Sequence, residues 1–268
     1  MPVPAAVRSA LAAALVVAGF AGAPADAAVA PTRPICNISD APAEPVDAPP
    51  YGTSPCTGVR PGAEIRTAHG PCSMGFLFHG SDGRKYISTA GHCVLGTGNM
   101  GEKTWSGSTG SAASDAGGKR IGVAVYAVQR DIEGTESGID DFALIRLDRG
   151  VSADPQMCHF GGPTGLDTSM DDGVQTFEHV GTGALGLRAR TSASPRGLYR
   201  DDYVYAFGAA APGDSGGALT RDGAAVGLVT QLSYGPLGNI GINRLAPHLA
   251  RAGKLLGTTL TLQTAPRL

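Results

Sequence analysis

Apolar runs in this chain are short, and nearly all of them stop at Gly, Asp, Asn or Ser. That punctuation suits strands joined by tight turns, because glycine supplies the positive φ that turns need and the short polar side chains bond their own backbone. Forty glycines in 268 residues, against seven Phe and seven Tyr, argue against a helical bundle and for an all-β fold. Two hairpins stand out. Residues 74–79 face residues 84–89 across Gly80-Ser81-Asp82-Gly83, and residues 217–220 face Ala224–Leu232 across Arg221-Asp222-Gly223. Further strand-like runs fall at 120–128, 141–147, 174–178 and 202–207. Helical spacing occurs at the end of the chain, where Leu245, Leu249, Ala252, Leu255 and Leu256 predict one buried face, with Arg244, Arg251 and Lys254 outward.

The first residues predict an export signal at 1–27. Arg8 precedes an apolar stretch over 10–20, and Ala25-Asp26-Ala27 offers small residues for cleavage after Ala27. That stretch falls well short of the roughly 20 residues a membrane span needs, so no membrane association is expected after cleavage. Residues 28–61 read as a Pro/Ala-rich lead-in or short propeptide without a core of its own, and 62–268 as the folded domain. A formal net charge of -2, from 21 basic and 23 acidic residues, gives no reason to expect nucleic acid as a partner. Export to an oxidising compartment makes disulfides available to the five cysteines.

Three segments carry chemistry. Ser88-Thr89-Ala90-Gly91-His92-Cys93 sets a histidine just after a β-branched strand end. Asp140-Asp141-Phe142-Ala143-Leu144 starts a strand with an acid drawn inward by the apolar residues after it. Pro212-Gly213-Asp214-Ser215-Gly216-Gly217 surrounds a serine with glycines, so that the chain turns sharply and its N–H groups converge. Amide hydrolysis by nucleophilic attack needs this set: a hydroxyl, an adjacent base, an acid that orients the base, and backbone donors for the developing oxyanion.

In this order, Thr89-Ala90-Gly91-His92-Cys93, Asp140 to Leu147 and Gly213 to Gly217 resemble the signature segments of the chymotrypsin-like serine peptidases, nearest the bacterial streptogrisin and α-lytic branch. The resemblance spans roughly 62–256. It implies two packed antiparallel six-stranded β-barrels with a C-terminal helix, a secreted monomeric endopeptidase acting on protein or peptide substrates, and no cofactor or metal. It assigns His92 as base, Asp141 as its orienting partner, Ser215 as nucleophile, and the Gly213 and Ser215 amides as oxyanion hole. It selects Asp141 over Asp140, which is then expected to be exposed. It pairs Cys72 with Cys93 and supplies Asp214 with an internal arginine, which the sequence does not identify. It also puts the base of the specificity pocket at Ala209 and its wall at Thr230-Gln231-Leu232.

Several features depart from the family pattern. Cys158 lacks its usual neighbour, Thr168 standing in that position, and Ala211 replaces a cysteine often found near the nucleophile. Cys56–Cys158 and Cys36–Cys56 both remain open as pairings. Ala63-Glu64-Ile65 is the nearest counterpart of a mature start. Ala209 carries no acid to select Arg or Lys, and Leu232 in place of glycine narrows the pocket, which points to a small or medium apolar side chain. A serine esterase is the rival enzyme, since Gly213 to Gly217 also fits Gly-x-Ser-x-Gly. That fold places its acid and histidine after the serine, where this chain has only His248, inside the predicted helix. An inactive homologue that binds a partner is the non-enzyme alternative. His69, His79, His159 and His179 show no paired-ligand spacing and are expected at the surface or in loops.

Overall fold

The hairpin turns are built as their residues require. Between β3 (Leu77–Gly80) and β4 (Lys85–Thr89), Gly83 has φ +73° and the Asp82 carboxylate accepts the Arg84 N–H at 3.1 Å. Between β12 (Ala218–Arg221) and β13 (Ala224–Leu232), Asp222 and Gly223 both have positive φ, as a two-residue turn matching strand twist demands. This computed structural model describes residues 55–132, 138–169, 173–186, 188–195, 202–232 and 240–268. The export signal, most of the lead-in and Cys36 lie outside the described residues.

The remaining elements are β1 (Glu64–Thr67), β2 (Gly70–Ser73), α1 (His92–Leu95), β5 (Gly101–Thr104), β6 (Ala112–Asp115), β7 (Arg120–Ile132), β8 (Gly138–Leu147), β9 (Gln175–Val180), β10 (Ala189–Ser194), β11 (Tyr203–Gly208), β14 (Ile240–Arg244), α2 (Leu245–Leu256) and β15 (Leu260–Leu262). The fold is all-β, with antiparallel pairing between strands in two sheets. The C-terminal sheet closes as a six-stranded barrel, β10-β11-β14-β13-β12-β9. The N-terminal sheet runs β15-β3-β4-β8-β7-β6-β1-β2, with β5 also on β7, and so holds nine strands where six were expected. One of the three extra strands is β15, a segment that returns from beyond α2 to pair with β3, and such a non-local pairing leaves no mark in a local sequence pattern.

Apolar side chains from both lobes meet in one core, in which Phe76, Phe78, Ile87, Tyr126, Phe142 and Leu144 pack with Val180, Ala218 and Leu228. A second cluster, including Phe177, Val204, Val229, Ile240 and Ile242, fills the C-terminal barrel. Burying such side chains contributes about 1.5–3 kcal/mol each.

Three sequence expectations need correction here. Arg244 is buried, 2% exposed, because it ends β14 and donates to the Ser169 carbonyl at 2.8 Å, so helical spacing does not govern it. Leu255 is 49% exposed and outside the buried face of α2, which is made by Leu245, Leu249 and Ala252. His179 is fully buried on β9 between β10 and β12, so it is neither a surface nor a loop residue, whereas His159 lies in a loop as expected, buried there at a positive φ.

Two disulfides are present among the described residues. Cys72–Cys93 joins β2 to α1, and Cys56–Cys158 closes a separation of 102 residues. The packed body therefore reaches back to Cys56, upstream of Gly62. Val59 is buried there, and the buried Arg60 guanidinium contacts Asp154 at 2.5 Å. No helix among the described residues is long and apolar enough to cross a membrane.

Candidate active site

His92 opens α1 directly after β4. Gly91 before it lies so close to the Val128 carbonyl that any side chain would collide with the backbone, which accounts for glycine there. Asp141 stands on β8 opposite Gln129 of β7 and is 3% exposed. Its two oxygens divide the work: Oδ2 lies 2.5 Å from His92 Nδ1, and Oδ1 accepts the His92 backbone N–H at 2.7 Å. With Nδ1 as donor, Nε2 is left as the acceptor, the tautomer a general base needs. Burial pulls the His92 pKa down, but the hydrogen bond that Nδ1 donates to Asp141 and the charge of that carboxylate outweigh it, and the net shift is upward from 6.5. Asp141 is itself fixed by Asn243 of the other lobe, whose Oδ1 accepts the Asp141 N–H at 2.7 Å.

Ser215 sits half-buried on the loop between β11 and β12. Gly213 and Gly216 on either side adopt φ +100° and +84°. Gly216 faces the Ser73 carbonyl and Ala90 N so closely that a Cβ there would overlap both, which brings the loop against the other lobe. The Ser73 N–H donates to the Ser215 carbonyl at 2.8 Å, and Gly216 N–H to Val229 at 2.6 Å. Among the described residues, neither the Gly213 nor the Ser215 N–H donates to a protein acceptor.

Asp214 is the internal anchor of this loop. Arg190 grips its two oxygens at 2.6 and 2.5 Å, while the N–H groups of Gly183 and Ala211 each donate at 2.8 Å. Both carboxylate oxygens are thus doubly engaged, and no amine from a cut chain end is required to hold the loop. No local signal separates Arg190 from Arg188 in the sequence. Pairing β10 with β9 and folding the loop that holds Asp214 and Ser215 over it picks out Arg190.

The other residues expected at the site lie just after β11, on β13 and on β8. Ala209 is exposed just after β11; Thr230 is buried on β13 and donates to the Gly241 carbonyl at 3.3 Å; Leu232, two residues on, is half-buried. Between them the Gln231 side chain accepts from the Tyr203 hydroxyl at 3.0 Å. Asp140 is not exposed as expected. It is 14% exposed, receives Arg130 Nε at 2.8 Å and lies 3.8 Å from His248 Nε2, because α2 covers this end of β8. The Cys72, His92 and Cys93 ligand atoms lie within 4.8 Å of one another, but both sulfurs belong to the disulfide and provide no thiolate for a metal.

A family model described as Trypsin matches residues 60–243, well over half the chain. Among solved structures, Cellulomonas bogoriensis chymotrypsin aligns with a TM-score of 0.51 at 18% identity, over 76% of this chain and 98% of that one. A glutamic acid specific serine protease that uses a histidine triad in substrate binding gives 0.49 at 22% identity, over 76% and 100%. Nocardiopsis protease gives 0.47 at 17%, over 77% and 100%. At these identities the likeness is one of fold. No curated protein matches the chain.

Proposed function

The chain belongs to the trypsin family of serine-type endopeptidases, and from that premise we propose that it is exported and cleaves peptide bonds through Ser215, His92 and Asp141. The observation that carries this reading is the doubly bonded His92–Asp141 pair, which holds the imidazole with Nε2 free to accept a proton. In the proposed reaction, Ser215 Oγ attacks the scissile carbonyl carbon as His92 Nε2 takes its proton. The carbonyl electron pair moves to oxygen, where the Gly213 and Ser215 N–H groups stabilise the charge. His92 then returns the proton to the departing amine, leaving an acyl ester on Ser215. Water, deprotonated by the same imidazole, hydrolyses that ester.

Export through the segment 1–27 is supported by the two disulfides, which persist in oxidising compartments. A primary pocket bounded by Ala209, Thr230 and Leu232, with no acid among these three, suits a small or medium apolar side chain.

The test is labelling of the purified protein with a fluorophosphonate probe and mapping of the adduct by mass. Labelling at Ser215 that Ser215→Ala and His92→Ala both abolish is the expected result. Folded wild-type protein that takes no label, before and after removal of the lead-in, would overturn the reading in favour of a binding-only homologue.

A further inference from the structure

Three consecutive residues of one loop bond to three consecutive residues of another. Ala184 N–H donates to the Pro212 carbonyl at 3.0 Å, Gly183 N–H to the Asp214 carboxylate at 2.8 Å, and Thr182 Oγ1 lies 3.2 Å from the Gly213 carbonyl. The first of these fixes a direction. Pro212 C=O and Gly213 N–H share one planar trans peptide, so holding the carbonyl on the side of Ala184 turns the N–H to the opposite side. The Gly183 backbone packs so closely on Asp214 that a Cβ at 183 would overlap the carboxylate.

Ser73, on β2 of the other lobe, joins the two loops. Its Oγ accepts the Thr182 N–H at 2.9 Å and donates to the Gly213 carbonyl at 2.8 Å, while its own N–H donates to the Ser215 carbonyl. Its carbonyl receives Thr89 Oγ1 at 2.9 Å, and Cys72 beside it is disulfide-bonded to Cys93, next to His92. One fully buried serine is therefore tied to the segment bearing His92, to both residues flanking Asp214, and to the loop that orients the Pro212–Gly213 peptide.

We infer that Ser73 and Thr182 are positioning residues for the oxyanion hole: they hold the Gly213 carbonyl, in the peptide following the one that Ala184 fixes, so that Gly213 is anchored on both sides of its Cα and its N–H points at the developing charge on the substrate. Neither touches substrate. The inference rests on the assignment of Ser215 as nucleophile, and it goes further by naming what keeps the hole formed in the absence of ligand. Removing an oxyanion donor outright costs about 10²–10³ in kcat. Loosening the donor's support should cost less, about tenfold to a hundredfold.

The experiment compares wild type, Ser73→Ala, Thr182→Val and Thr182→Ser for kcat and KM on one peptide ester, fluorophosphonate labelling rate, affinity for a peptide aldehyde that adds to the serine, and Tm. The expected result is a fall in kcat, labelling rate and aldehyde affinity together in Ser73→Ala and, less steeply, in Thr182→Val. KM should stay within about twofold, as for an interaction made only in the transition state. Thr182→Ser, which keeps the hydroxyl, should restore activity to near wild type. If Ser73→Ala does not fold, the Thr182 pair decides. Unchanged kcat in the folded variants, or a loss that appears equally in KM, would overturn the inference. A wild-type protein that takes no label would instead overturn the assignment of Ser215, and the inference with it.

Discussion

Arg190 and Asp214 form a bidentate ion pair, with both side chains at most 2% exposed, directly beneath the residue carrying the proposed nucleophile. Because the pair is built from within the folded chain, loop order does not depend on a new chain end. Arg190→Met would leave Asp214 buried without its cation, a change that costs about 3–5 kcal/mol. The expected outcome is a large fall in Tm together with loss of fluorophosphonate labelling, whereas wild type with its lead-in intact labels without prior cutting. Labelling that appears only after proteolysis would contradict this.

The upward shift of His92 sets a pH dependence. General-base catalysis needs the neutral ring, so kcat/KM should rise with pH through a value above the ordinary histidine 6.5 and then level off. Stability moves the other way. The extra binding of a proton in the folded state stabilises fully below the unfolded pKa and is lost as pH rises through the folded one. Asp141→Asn removes the charge and replaces one of the two acceptor oxygens with a donor, so the limb should move down in pH while kcat falls by about 10⁴, as when a triad loses its orienting acid. A pH–rate profile of the two proteins checks both.

His179 behaves in the opposite sense. Complete burial, then the neighbouring Arg190 cation, push its pKa down to about 3, with Asp214 only partly offsetting them. The unfolded chain binds a proton near 6.5 that the folded one refuses, so stability is lost as pH falls from about 6.5 toward 3, by on the order of a few kcal/mol. His179→Phe should flatten this part of the stability curve, measured by urea unfolding at a series of pH values. An unchanged slope would show that other groups govern it.

Leu232 stands on β13 where the proposed specificity pocket is walled. Profiling with a peptide library should find cleavage after small or medium apolar residues and little after Lys or Arg. Leu232→Gly should widen the preference toward larger apolar side chains, with each added methylene changing discrimination by about 1–3 kcal/mol. Preference for a basic residue in wild type would refute the pocket assignment.

Much of this was legible in the chain. Gly80 to Gly83 and Arg221 to Gly223 marked two hairpins because turn geometry is local, and the structure closes both. The three segments containing His92, Asp141 and Ser215 were visible as motifs because each must satisfy its own backbone: glycine at 91 against the Val128 carbonyl, glycines at 213 and 216 at positive φ. Asp140 misled because its surroundings are supplied by α2, more than a hundred residues away. Arg244 misled because a strand end and a helix start share one stretch of sequence.

The sequence by itself determined the all-β class and the turn positions, since both follow from short-range sterics and periodicity, and its resemblance to a known family nominated His92, Asp141 and Ser215. Only the tertiary structure decided which arginine holds Asp214, that Asn243 fixes Asp141 across the lobes, that Cys56 pairs with Cys158, and that Ser73 and Thr182 hold the Gly213 carbonyl. Each of those is a contact between residues far apart in the chain. Such contacts depend on how the sheets pair and pack, and one-dimensional spacing carries no record of that.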